Sequence, residues 1–189
     1  MEQAKRKQEI RQKLLKIRSE INPEAYREKS AKIIASLKKQ PEFIKAETIH
    51  CYVSMNERNE VDTHGLLKYL VESEKKPVAS ITNFQDGTLS HRYLTSLDHL
   101  QENKWGVLEP VGGEVAEANE FDLVIVPMVG GDGDKNRIGY GKGFYDRFLE
   151  NVTCPTIGLL FDDCLIRSVP VEPFDISLDK CITERKIIS

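Results

Sequence analysis

"FDLVIVP" (121–127) is a nearly unbroken apolar run, and "PTIGLLF" (155–161) is a second. A strand with one face in water alternates apolar and polar residues, whereas a run without alternation belongs in a sheet covered on both faces. "TIHCYVS" (48–54) reads as a further buried strand. "PVASI" (77–81) and "LSHRYL" (89–94) read as two short strands with the turn "QDGT" between them.

Helical signals surround these runs. Ile10, Leu14, Ile17 and Ile21 recur at three- and four-residue intervals, which marks one apolar face. "NPEAY" (22–26) supplies an N-cap at Asn22 and proline at the first helical position. The helix behind it carries Tyr26, Ile33, Ile34 and Leu37 and should end near Gln40-Pro41. "EVDTHGLLKYLVES" (60–73) offers Asp62 or Thr63 as a cap, and a short helix should cover roughly "GFYDRFLENV" (143–152). Helices alternating with short apolar strands predict an α/β fold with a mainly parallel sheet flanked by helices. No linker or low-complexity tract divides the 189 residues, so a single domain over 1–189 is expected.

Composition narrows the function. Twenty-seven basic and 30 acidic residues leave a net charge of −3, so no global field draws in nucleic acid or an anionic membrane. No run of about 18 apolar residues is present to span a bilayer. Cys51, Cys154, Cys164 and Cys181 show no C-x-x-C spacing, and the scatter suits reduced thiols in a cytoplasm better than a disulfide framework. His50, His64, His91 and His99 are dispersed, which reads as surface or core-edge placement rather than catalysis.

The chemistry concentrates in "RIGYGKGFYDRF" (137–148), between the two long apolar runs. It is not a Walker A loop: Asn136 stands where the first glycine belongs, and Gly143 replaces the Ser/Thr. Nor is it a dinucleotide fingerprint, because Gly139-x-Gly141-x-Gly143 has the wrong spacing. The physics of those loops still applies. Glycines let backbone N–H groups approach an anion, and a helix beginning just beyond adds its positive end. Arg137 offers a planar fork for phosphate oxygens and Lys142 a compact charge. Asp146 falls in the first helical turn, where a carboxylate can hold a phosphate-bridging Mg²⁺. Together these residues favour a polyphosphate site.

"NRIGYGKGFYDRFL" closely resembles the signature of the 5-formyltetrahydrofolate cyclo-ligase (5,10-methenyltetrahydrofolate synthetase) family. The resemblance runs nearly end to end, through Lys7 and Arg11, "EVDT" (60–63), "WGVLEP" (105–110), the loop and "PVEPFDISLD" (170–179). It implies an α/β fold similar to that of sugar-phosphate isomerases and CoA transferases, acting as a cytoplasmic monomer on a reduced folate with ATP and Mg²⁺. It implies that Lys7, Arg11, Arg137, Gly139, Tyr140, Gly141, Lys142, Gly143, Phe144 and Tyr145 hold ATP. Asp146 and Asp175 are the implied Mg²⁺ carboxylates, with Asp179 as a substitute for the second. Glu60 is the implied pterin-binding carboxylate, with Val53 and Trp105 lining the folate pocket and Tyr140 and Phe144 contacting either ligand.

Two other readings fit the loop alone: a sugar-phosphate isomerase-like enzyme on the same scaffold, or a non-catalytic nucleotide-binding module. The sequence also departs from the family pattern. Gly131 stands where an aromatic normally precedes Asp132, and Lys135 replaces a glycine common later in that turn. Relatives often carry glycine at the position of Lys142.

Overall fold

A computed structural model describes residues 2–189. In chain order the helices are α1 (Glu2–Ser19), α2 (Pro23–Lys38), α3 (Pro41–Lys45), α4 (His64–Glu72) and α5 (Phe144–Leu149). The strands are β1 (Thr48–Cys51), β2 (Lys76–Asn83), β3 (Thr88–Tyr93), β4 (Leu100–Glu102), β5 (Leu108–Pro110), β6 (Leu123–Pro127), β7 (Gly130–Gly131), β8 (Arg137–Ile138), β9 (Thr156–Leu159), β10 (Lys180–Ile182) and β11 (Ile187–Ile188). Seven of them form one sheet in the order β11-β10-β9-β6-β1-β2-β3. The five central strands are parallel, and β3 and β11 close the edges antiparallel. The expected α/β class and mainly parallel sheet are what the chain adopts.

The two apolar runs form neighbouring strands, and both faces of β6 are covered. Leu123 and Ile125 join Ile33, Leu37, Phe43 and Leu70 in the core beneath α2, α3 and α4. Val124 and Val126 point the other way, onto Phe148, Leu149 and Leu178. All four residues of β6 named here are fully buried, and each stabilises the fold by roughly 1.5–3 kcal/mol relative to exposure. A polar residue at any of these positions would remove that contribution.

The caps follow local chemistry. The Asn22 side chain accepts from the Ala25 N–H, and Pro23 opens α2. Between the two cap candidates for α4, Thr63 occupies the N-cap position. Its hydroxyl is drawn into the fold, donating to the Tyr52 carbonyl, while Asp62 accepts from the His64 N–H.

Several elements depart from the sequence reading. The final strands β10 and β11 and the β4–β5 hairpin carry too few residues for a periodic signal. Helix α5 stops at Leu149, before the expected Val152. His50 is neither on the surface nor at a core edge: it is fully buried, and its ring lies 5.0 Å from His91 and 4.9 Å from Phe148. A ring of this size packs as a large apolar group once Ser80 Oγ meets its Nε2 at 2.7 Å.

Helix α1 docks through a third, smaller core of Leu14, Val129, Ile138, Cys164 and Val169. Gly130 permits this, since a Cβ there would come within 2.6 Å of the Cys164 carbonyl oxygen and meet Leu14. The chain leaves β1 for β2 on one side and β6 for β9 on the other. Adjacent β1 and β6 are therefore the point where strand order reverses, which opens a crevice at their C-terminal ends.

Candidate active site

That crevice is a cavity of about 580 Å³, with Tyr52 and Val53 beyond β1 and Pro127 at the end of β6 in its wall. Every candidate residue singled out from the sequence except the substitute metal carboxylate lines it, from Lys7 and Arg11 on α1 to Asp175 near the C-terminus. The substitute Asp179 does not: it accepts from the backbone and hydroxyl of Thr156 at 2.8 and 2.9 Å, which ties the segment before β10 to β9.

One half of the cavity is cationic. Lys7 donates to Asp175 Oδ1 and Oδ2 at 2.6 and 2.5 Å, with Glu172 Oε2 3.8 Å away. Arg137 Nη2 donates to Asp146 Oδ1 at 2.6 Å, and its buried Nε has no partner. Arg11 Nε donates to the Gly139 carbonyl at 2.7 Å, so one turn of α1 directs Lys7 to the C-terminal segment and Arg11 to the glycine loop. Burial lowers the Arg11 pKa, and the nearby Asp175 and Glu172 carboxylates oppose that shift.

The glycines have specific reasons. Gly141 and Gly143 sit at φ +85° and +71°, a region that L side chains rarely adopt. A Cβ at Gly141 would also come within 2.8 Å of the Arg11 guanidinium carbon. Gly143 precedes α5 without a side-chain cap, leaving the N–H groups of the first turn free of one. At six residues α5 has little macrodipole, so these N–H groups are its main offering to an anion. Lys142 is exposed, and its carbonyl accepts from Arg147.

The other half is aromatic and holds a buried carboxylate. Glu60 is 4% exposed; the Met55 N–H donates to Oε2 and the Tyr140 hydroxyl to Oε1, both at 2.7 Å. Burial raises its pKa, while those two donors and the charges of Arg18 and Arg58 pull it back. At the mouth, Trp105 packs on Phe84 with centroids 3.6 Å apart, and Phe84 meets Phe144 edge-on at 5.5 Å. Trp105 and Phe84 remain 43% and 38% exposed, an apolar wall facing the opening.

The sequence reading missed Arg18, Arg58, Phe84 and Glu172. Phe84 is a large apolar residue in a turn, which was a legible signal. Arg18 continues the helical spacing of Lys7, Arg11 and Leu14, yet one more basic residue on a basic helix does not stand out. Glu172 and Arg58 carry no mark at all.

A Mg²⁺ ion bound with phosphate needs only one or two protein carboxylates. Asp146 and Asp175 supply hard oxygen donors on the cationic side of the cavity and fit that role. Among the described residues no three His, Cys, Asp or Glu side chains converge on a metal position.

The turn that departs from the family pattern has its own logic. Asp132 is 1% exposed and accepts from the backbone N–H groups of Asp134, Asn136 and Val169. At Gly131 a Cβ would lie 2.9 Å from the Asn136 carbonyl oxygen, so this tight turn leaves no room for a side chain there. Lys135 holds φ +65°, a left-handed conformation that glycine adopts more readily.

Comparison with known proteins places the chain among relatives. The chain is 28% identical over 176 residues to the 5-formyltetrahydrofolate cyclo-ligase of Escherichia coli K12, covering 90% of this chain and 96% of that one. It is 28% identical over 156 residues to the mouse 5-formyltetrahydrofolate cyclo-ligase, covering 76% of each. Its fold superposes on the 5,10-methenyltetrahydrofolate synthetase of Aquifex aeolicus with a TM-score of 0.85 and 30% identity, over 96% of this chain and 91% of that one. The fold is shared also with a Mycoplasma pneumoniae 5,10-methenyltetrahydrofolate synthetase, at a TM-score of 0.76 and 22% identity, over 94% of this chain and 98% of that one. The model of the 5-formyltetrahydrofolate cyclo-ligase family matches residues 3–184, and the chain belongs to that family.

Proposed function

We propose that the protein converts 5-formyltetrahydrofolate to 5,10-methenyltetrahydrofolate, using ATP and Mg²⁺ and releasing ADP and phosphate. One observation carries the reading: a single cavity joins a cationic, glycine-lined half to an aromatic half with a buried carboxylate. That division matches a polyphosphate laid beside a pterin, whose amide and amino edge presents adjacent donors to Glu60.

In this reading the formyl oxygen attacks the γ-phosphorus and the bond to ADP breaks. N10 then adds to the activated carbon and loses its proton, and phosphate departs with the former formyl oxygen. An amide-like oxygen leaves poorly, and phosphorylation converts it into a good leaving group. The protein contributes positioning and charge neutralisation rather than covalent chemistry. Lys7, Arg11 and Arg137 surround the phosphates with positive charge, and the loop N–H groups fix their orientation. Asp146 and Asp175 would hold Mg²⁺, which neutralises phosphate charge when bound. Phe84, Trp105 and Phe144 cover the folate and exclude water.

The same reading takes the whole chain as one catalytic unit acting as a monomer. Four free cysteines suit a reducing cytoplasm, and among the described residues no helix is long and apolar enough to cross a membrane. Isotope transfer tests the route. With ¹⁸O in the formyl group, the label should appear in the released phosphate. Retention of the label in formate, or its loss to water, would refute the phosphorylated route.

A further inference from the structure

Arg18 is 1% exposed, and among the described residues no carboxylate forms an ion pair with it. A guanidinium taken out of water without a counter-charge is costly, so its surroundings should explain it. Its Nη1 reaches the Met128 carbonyl at 3.3 Å, and its Nε has no partner. Its short contact is elsewhere: Nη2 donates to the Tyr140 hydroxyl at 2.5 Å, and that hydroxyl donates to Glu60 Oε1 at 2.7 Å.

The direction of this chain follows from the donor inventory. A guanidinium has only donors, so the Tyr140 oxygen must accept from Arg18 and turn its single proton toward Glu60. Glu60 Oε1 then accepts, while Oε2 accepts from the Met55 N–H. A neutral carboxyl could satisfy the same two donors only by aiming its own proton elsewhere in a buried site. Arg18 and Glu60 are thus a cation and an anion joined through one hydroxyl.

We propose that Arg18 is a positioning residue for the folate half of the cavity, acting through Tyr140 to fix Glu60 as an ionised, acceptor-only carboxylate facing the ligand. The link to folate rests on the function proposed above; the control of Glu60 does not. The groups facing Glu60 are Arg18 from α1, Arg58 from the 56–58 turn and Tyr140 from the glycine loop. Tyr26 from α2, Tyr52 beyond β1 and Tyr145 from α5 complete the set. Only the two arginines are cationic, and Arg58 lies at the cavity wall, so Arg18 is the fully buried counter-charge. Desolvation already pushes the Glu60 carboxyl upward, and loss of Arg18 leaves that push less opposed.

The test uses the intact enzyme with Arg18→Met and Arg18→Lys. Arg18→Met should raise the folate KM about tenfold at neutral pH and leave the ATP KM within about twofold. Its folate KM should climb further as pH falls, with a midpoint at least about one pH unit above the unaltered enzyme. Arg18→Lys should lie between the two. pH-difference infrared spectra read Glu60 without turnover: the protonated-carboxyl band, assigned by its absence in Glu60→Gln, should appear at higher pH in Arg18→Met. An unchanged Glu60 titration in folded Arg18→Met overturns the proposal, as does an equal loss in both KM values with no change in pH profile. If Arg18→Met does not fold, Tyr140→Phe breaks the same chain while keeping the arginine; it should shift the band likewise, and an unshifted band overturns the proposal. Should Glu60→Gln leave the folate KM unchanged, the folate reading of Glu60 fails, while the infrared arm still decides the role of Arg18.

Discussion

Lys7, in the second turn of α1, donates to both carboxylate oxygens of Asp175, 168 positions further along the chain. Asp175 Oδ2 also accepts from the Glu172 N–H at 2.7 Å, so one ion pair in the cavity lining fastens the first helix to a C-terminal turn. Arg137 and Asp146 form a second such pair beside it, where the Ile176 N–H also approaches Asp146 Oδ1 at 3.4 Å. Two of the cations suited to phosphate, Lys7 and Arg137, thus sit on the carboxylates suited to Mg²⁺, and these four charges balance.

Lys7→Met should raise the ATP KM by about tenfold or more, ~1.4 kcal/mol, because it removes a charge aimed at phosphate. The folate KM should stay within about threefold. Removing one member of a largely buried pair strands the other, so Lys7→Met should also lower Tm, and adding Asp175→Asn should recover part of the loss. Steady-state kinetics and thermal melts on the two single variants and the double variant check this.

Arg137→Ala and Glu60→Gln should divide the two substrates between them. The first should weaken ATP use by about tenfold to a hundredfold, as expected on losing a charge-assisted fork, with the smaller effect on folate. The second should act on folate first. Crossed KM measurements decide, and equal loss of both substrates in either folded variant would count against its assigned half.

Lys135→Gly should stabilise the protein. A left-handed backbone costs an L residue about 1 kcal/mol that glycine avoids, and among the described residues the Lys135 side chain has no hydrogen-bond partner. The greater freedom of glycine in the unfolded chain offsets part of this, so the expected gain is about 0.5 kcal/mol, or roughly 1–2 °C in Tm. Activity should not change.

Stability should fall as pH drops below about 6.5. Burial holds the His91 pKa down at about 4, and His50 is pushed well below its ordinary value by burial and by His91. Both folded-state values lie below the unfolded one, so the unfolded chain binds protons that the folded chain refuses. The contribution is complete above the unfolded pKa and is lost as pH falls toward the folded one. Tm measured from about pH 7.5 down to about 4.5 should show this decline, and His91→Gln should flatten it.

The parts legible in the sequence are those fixed by local chemistry. Asn22-Pro23 starts a helix because the cap and the first turn need only neighbouring residues. β6 and β9 are legible because two buried faces leave a continuous apolar run. The two-residue edge strand β11 has no such signature, since its pairing with β10 depends on partners brought by the fold. The candidate site was legible by residue type in the loop, with its glycines and arginine fork, whereas Glu60, Lys7 and Arg11 were reached only through the family resemblance. Arg18 was not, because in "KLLKIRSE" it looks like one more surface cation, and only tertiary packing places it beneath Tyr140. His50 was misjudged for the same reason: burial among Phe121, Phe148 and His91 is a property of three separate segments.

The most direct measurement is the absorbance of the 5,10-methenyl product when purified protein meets 5-formyltetrahydrofolate, ATP and Mg²⁺. The chromophore should appear with one ADP released per product, and should fail to appear without ATP or with Mg²⁺ chelated. Folded protein at high concentration that yields no chromophore, or yields it at the same rate without ATP, would contradict the proposed reaction.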